Sequence, residues 1–157
     1  MSKWIPALVG AIRSGGIAKS GLLKYGQKAL DPVLEQLHNP DPLMRSGALS
    51  FGVTLLLKES DAAARVRIGG LIQSGLQDHE CVVRRAAVRS IERLDDRKSY
   101  VPTLVDLSEQ DLVNIPESGM ADGYPVRQEA NRVLCMIANH EWPHQDARVS
   151  GGQVSPH

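Results

Sequence analysis

Apolar residues recur three and four positions apart along most of the chain, the spacing that keeps them on one face of a helix. Leu30, Val33, Leu34 and Leu37 draw such a face over about 27–38. The same spacing predicts helices over about 42–58, 61–77, 80–95, 100–109 and 125–140, with Leu134 and Ile137 extending the apolar line of the last. Residues 3–13 and 17–25, separated by Ser14-Gly15-Gly16, read as two shorter helices. End signals agree with this division. Asn39 and Asp78 close one helix, and Asp41 or Glu80 stands at the start of the next, where an acidic side chain can take up free amides. Asp61 is placed to cap the 61–77 helix, and Pro42 and Pro102 fall in first turns, where a missing amide costs nothing. Gly69, Gly70 and Gly75 lie inside the 61–77 helix. Each costs up to about 1 kcal/mol of helix preference relative to alanine, so they either permit close packing or bend the helix.

The pattern repeats. When NPDPLMRSGALSFGVTLL from Asn39 is set over DHECVVRRAAVRSIERL from Asp78, the Arg-x-x-Ala cores coincide at Arg45/Ala48 and Arg84/Ala87, 39 residues apart. Val33 and Leu37 precede the first block as Ile72 and Leu76 precede the second, so the similarity spans a whole two-helix unit. YPVRQEANRVLCMI supplies a third copy at Arg127 and Ala130. Small alanines at these positions let two helices approach closely.

This unit resembles the HEAT repeat, in particular the short bacterial variety also found in phycobilisome-lyase-like proteins. The resemblance covers about residues 27–140. Asn39-Pro-Asp-Pro-Leu-Met-Arg45 is the closest copy; Asp78 to Arg84 lacks the proline, and Asp122-Gly-Tyr-Pro-Val-Arg127 keeps only the second part. The resemblance implies an all-α fold, an α-solenoid of about three HEAT-like helix pairs whose second helices line a concave surface. It also implies that Arg45, Arg84 and Arg127 bridge to acids of adjoining turns and are structural. The expected organisation is one domain over 1–144: an N-terminal helical cap (1–26), three repeats (27–58, 61–96 and 100–140) and a loop at 110–124 inserted in the third. A solenoid needs such a cap to cover its open end. Residues 145–157 hold too few apolar side chains to pack and are expected to form a loose tail.

Composition supports helices over sheets: with 157 residues, aromatics make up only 4%, and Leu, Ala, Val and Ile dominate. A chain of this length buries a core without disulfides or metal. Cys81 and Cys135 lack metal-ligand or redox spacing and read as reduced thiols. The run Ala7 to Ile12 is too short to span a bilayer and has no cleavage pattern behind it, which points to the cytoplasm. Net charge is zero, yet residues 1–30 carry Lys3, Arg13, Lys19, Lys24 and Lys28 and no acid, while 100–157 carry eight acids against Arg127, Arg132 and Arg148. Such polarity suits head-to-tail stacking or an anion at one end.

Candidate chemistry is sparse. His140-Glu-Trp-Pro-His144 has the outline of a zinc hydrolase motif, in which two histidines one helical turn apart hold a metal. Pro143 spoils it, because proline inside a helix removes an amide and clashes with the preceding turn. No phosphate-loop or nucleophile-elbow spacing occurs, and His38 and His79 read as surface turn residues. No enzyme, cofactor or metal is expected.

Three features suggest binding instead. The 110–124 loop is rich in apolar residues (Leu112, Val113, Ile115, Met120, Tyr124) and can fold over the domain or dock a partner. Arg85, Arg89 and Arg93 form a stripe at four-residue spacing, with Glu92, Asp95 and Asp96 near enough to neutralise it. Ser46, Ser50 and Thr54 are expected on one side of the stripe, and Gln128 and Arg132 on the other. A groove with a basic centre suits an acidic peptide or a phosphate backbone. The reading is a non-enzymatic protein-interaction module with a protein partner. The alternative is a nucleic-acid binder using the same stripe, since HEAT-like solenoids include DNA glycosylases; zero net charge weighs against it. A lyase or chaperone-like helper rests on the family analogy alone.

Overall fold

A computed structural model describes residues 5–12, 16–59, 61–113 and 123–141. Among these the chain is all-helical, with no strand. The helices are α1 (Ile5–Gly10), α2 (Gly16–Tyr25), α3 (Leu30–Glu35), α4 (Pro42–Leu56), α5 (Ala62–Leu76), α6 (Cys81–Ile91), α7 (Val101–Gln110) and α8 (Pro125–Glu141). None of them is long and apolar enough to cross a membrane. The expected tail, 145–157, lies outside the described residues, as do Trp142, Pro143 and His144.

Two predicted helices are altered. The segment 27–38 is a short α-helix between 3-10 turns at Gly26–Ala29 and Gln36–His38. Pro32 has no amide to donate back to Lys28, so the ladder is broken after the 3-10 turn and starts afresh in α3 with Pro32 in its first turn. At the other end, Asn39 precedes Pro40 and is extended (φ −66°, ψ 138°), as a residue before proline prefers. Helix α6 stops at Ile91 instead of running to 95. Its exit tightens through bonds from Arg93 N to Ser90 O and Leu94 N to Ile91 O, and Leu94 is buried.

The caps follow the expected chemistry with one correction. Asp41 accepts from Leu43 N at 2.9 Å and Asp61 from Ala64 N at 2.6 Å. Glu80 occupies the cap position of α6, but its side chain makes no cap hydrogen bond. The shorter Asp78 takes up the Glu80 amide at 2.9 Å instead.

Helix α3 packs on α4; α4 packs on α5 and α6; α5 packs on α6; and α8 packs on both α6 and α7. Helices α4, α6 and α8 therefore run side by side, and Ala48, Ala87 and Ala130 on them are fully buried. Helix α1 packs on α2 and α3. Its exit residue Ile12 sits so close over Gly47 of α4 that a Cβ there would collide with its Cγ2.

The α5 glycines separate into two kinds. A Cβ on Gly75 would stand 2.9 Å from the Ala87 Cβ and closer still to Leu49 Cδ1, where α4, α5 and α6 meet. Gly70 has open space around it. Gly75→Ala is expected to destabilise by about 1–3 kcal/mol through overpacking. Gly70→Ala should stabilise by about 0.5–1 kcal/mol through helix preference. Urea midpoints of the two variants check this; shifts of equal sign would contradict the packing described.

Candidate functional site

The recurrent arginines are held by structural bonds. Arg45 Nε and Nη2 donate to Asp78 Oδ2 and Oδ1, both at 2.9 Å, and Nη1 donates to the carbonyls of Asn39 (3.0 Å) and Pro40 (3.1 Å). Arg84 repeats the arrangement one unit on. It forks onto Asp111 at 2.7 and 3.1 Å and reaches the carbonyls of Asp78 and His79, both at 2.9 Å. In each case the guanidinium ties its own turn to an acid of the following unit, and both side chains are nearly buried. The Arg45 hydrogen bonds, ahead of burial, hold the Asp78 carboxyl below its usual range. Arg127 differs: its Nε donates to the Ser108 carbonyl at 3.0 Å, and its guanidinium lies 4.8 Å from the centre of the Tyr124 ring.

The Arg85, Arg89 and Arg93 stripe lies where α6 sits between α4 and α8, and its surroundings differ from those expected. Its counter-charge is Glu129 of α8, whose side chain is 4% exposed. Arg85 Nε reaches Glu129 Oε2 at 3.3 Å, Arg89 Nη2 reaches the same oxygen at 2.9 Å, and Arg132 Nε reaches Oε1 at 2.9 Å. Burial alone would raise the Glu129 pKa, but the hydrogen bonds from Arg89 and Arg132 prevail and hold it at about 2. Arg132 also bonds Glu92, which is thereby held below the usual carboxylate range. Arg93 Nη1 donates to Thr54 Oγ1 at 2.8 Å, and that hydroxyl donates on to the Ser50 carbonyl at 2.7 Å.

Asp95 and Asp96 form no ion pair with the stripe; they line a separate cleft beside α5. Among the described residues, four guanidiniums on this face thus meet two carboxylates, Glu129 and Glu92, leaving an excess of two positive charges. Arg89 and Arg132 are about half exposed, so their outer N–H groups remain open to an external anion.

The structure brings Ser50, Thr54, Arg85, Arg89, Arg93 and Arg132 together, and Gln128 is half-buried next to Glu129 in sequence. Tyr124 instead belongs with Arg127. Of the 110–124 loop, Leu112 is 79% exposed and Asp111 is buried under Arg84; Ile115 and Met120 lie outside the described residues. His140 is exposed at the end of α8, and no group of three metal-ligating side chains occurs among the described residues. His79 sits 3.6 Å from each of its neighbours Asp78 and Glu80.

Glu129 and Asp111 are the organising residues that sequence reasoning missed. A signal for Glu129 existed: it stands three residues after Val126 and four before Val133, on the buried line of α8. The chain matches no protein-family model, no curated protein and no solved structure.

Proposed function

We propose that the protein is a non-enzymatic interaction module, a HEAT-like solenoid that binds an acidic segment of a protein partner across α4, α6 and α8. One observation carries the reading: on this face, guanidiniums converge on one buried carboxylate and, among the described residues, outnumber the acids that meet them. Glu129 holds Arg89 and Arg132 from beneath, which reduces the side-chain freedom a partner's carboxylate must remove on binding. The Thr54 hydroxyl ties Arg93 to the Ser50 carbonyl of α4 and holds it on the same face. The solenoid reading draws support from the matching bonds of Arg45 and Arg84 and from the side-by-side packing of the three second helices. Expected partners are proteins, and the expected compartment is the cytoplasm.

A labelled peptide rich in Asp and Glu and a mixed-sequence DNA duplex serve as probes. Arg93→Glu is the cleanest variant, because Arg93 bonds only a surface hydroxyl among the described residues and its loss leaves the Glu129 cluster intact. The peptide should bind and lose about tenfold or more in affinity with this variant, a change of about 1.4 kcal/mol. Tighter binding to the duplex, with a steep salt dependence, would favour the nucleic-acid alternative. Unchanged peptide binding in Arg93→Glu, together with loss on shortening the loop beyond Val113, would move the site to the loop.

A further inference from the structure

Beside α5, a cleft of about 420 Å³ opens between that helix and the turns that follow α4 and α6. Its volume falls within the roughly 300–1,000 Å³ of small-ligand sites. Ile68 and Leu94, both buried, and the half-buried Leu57 supply apolar lining. Tyr100 forms part of the wall, and Gly69 leaves space before it: a Cβ there would have the Tyr100 hydroxyl as its nearest neighbour, at 3.9 Å. Glu59 comes from one turn, Asp95 and Asp96 from the other.

The charges are as informative as the shape. Asp78, Asp111, Glu92 and Glu129 are engaged by arginines, and Asp41 and Asp61 act as caps. Glu59, Asp95 and Asp96 have no ion-pair partner among the described residues, and these three gather at one concavity. Arg65, exposed, is the single cation among the described lining residues, leaving an excess of two negative charges among them.

We infer that this cleft binds a small aliphatic diamine, its alkyl stem on Leu57, Ile68 and Leu94 and its ammonium groups on the Glu59, Asp95 and Asp96 carboxylates. Other ligand classes fit less well. An anion would meet three carboxylates, and a neutral molecule would leave them unmatched. A bare metal ion gains nothing from an apolar floor, and these acids do not form a ligand group able to hold one. An alkylammonium uses both surfaces at once, because its stem leaves water while its charge stays paired at the rim. Burial, followed by the charge of Asp96, raises the Tyr100 pKa, so the phenol stays neutral and adds no further negative charge.

Amide NMR spectra of the whole chain, titrated with diaminopentane, test the assignment. Saturable shifts are expected around Gly69 and Asp95, with a dissociation constant of about 1 mM or below at low salt. Pentanediol and magnesium chloride should leave the same amides in place. The double variant Asp95→Asn, Asp96→Asn alters exposed side chains only and should weaken the diamine about tenfold. Gly69→Ala, which narrows the approach to Tyr100, should weaken it as well. Absence of saturation, equal shifts with the diol or with magnesium, or undiminished binding by the double variant would overturn the proposal. Tighter saturation by a lysine-rich peptide than by the diamine would overturn the small-molecule occupant.

Discussion

Arg45→Met is expected to remove about 3–5 kcal/mol of unfolding free energy, among the largest effects of a single polar substitution in this domain. Total stability for a chain of this size is about 5–15 kcal/mol, so the variant should be close to unfolding at physiological temperature. The reason is what the substitution leaves behind. Arg45 is 8% exposed and makes four hydrogen bonds, two to Asp78 and two to the carbonyls of the Asn39-Pro40 turn. Methionine fills much of the same volume but strands a largely buried carboxylate and removes a partner from two carbonyls. Arg45→Lys should recover only part of the loss, because one ammonium cannot reproduce the planar fork. Adding Asp78→Leu to Arg45→Met should restore much of the stability, since the penalty lies in the unpaired charge. Denaturant midpoints for the three variants decide the matter. A loss below about 1 kcal/mol for Arg45→Met, the range of an exposed ion pair, would show that the bond network contributes little.

Acidification is expected to produce the second large effect. Glu129 titrates at about 2 in the folded chain against an ordinary value of 4.5. Its contribution is therefore fully present above pH 4.5 and is lost as the pH falls from there toward 2. Each pKa unit corresponds to about 1.4 kcal/mol, which puts this single group near 3 kcal/mol. Asp78 and Glu92, also held below their usual range, add to the same loss. Glu129→Gln should flatten the acid side of the stability curve by about 2–3 kcal/mol while lowering stability at neutral pH. Denaturant unfolding at pH 7 and pH 3 reads both. An unchanged difference between the two pH values in the variant would mean that the carboxylate is not held as described.

The contrast between these two acids explains how far the sequence could be read. Arg45 and Arg84 stand out because they recur at a constant distance from Ala48 and Ala87 within one helix, and a helix places residues three and four apart on a common face. Caps such as Asp41 and Asp61 are legible for the same reason: donor and acceptor lie two or three residues apart. Glu80 is not legible in this way: an acid two residues from Asp78 looks equivalent in the sequence, whereas in the turn it is the Asp78 oxygen that takes up the Glu80 amide. The apolar spacing over 27–38 is that of one continuous helix; Pro32 interrupts the hydrogen-bond ladder without disturbing that spacing.

The partner of the Arg85–Arg89 stripe could not be found by that route. Glu92, Asp95 and Asp96 are its nearest acids along the chain, yet Glu129, 40 residues from Arg89, is the one beneath it. Two nearby aspartates are turned into a different concavity altogether. By itself, the order of residues determined the helical class, most helix limits, the repeating arginines and the basic stripe, because each depends on periods and caps spanning a few residues. Only the tertiary structure decided which acid neutralises which arginine, which glycine is compressed and which carboxylates share a cleft. Those outcomes depend on how neighbouring helices slide and rotate against one another, and that offset is a property of packing between segments dozens of residues apart.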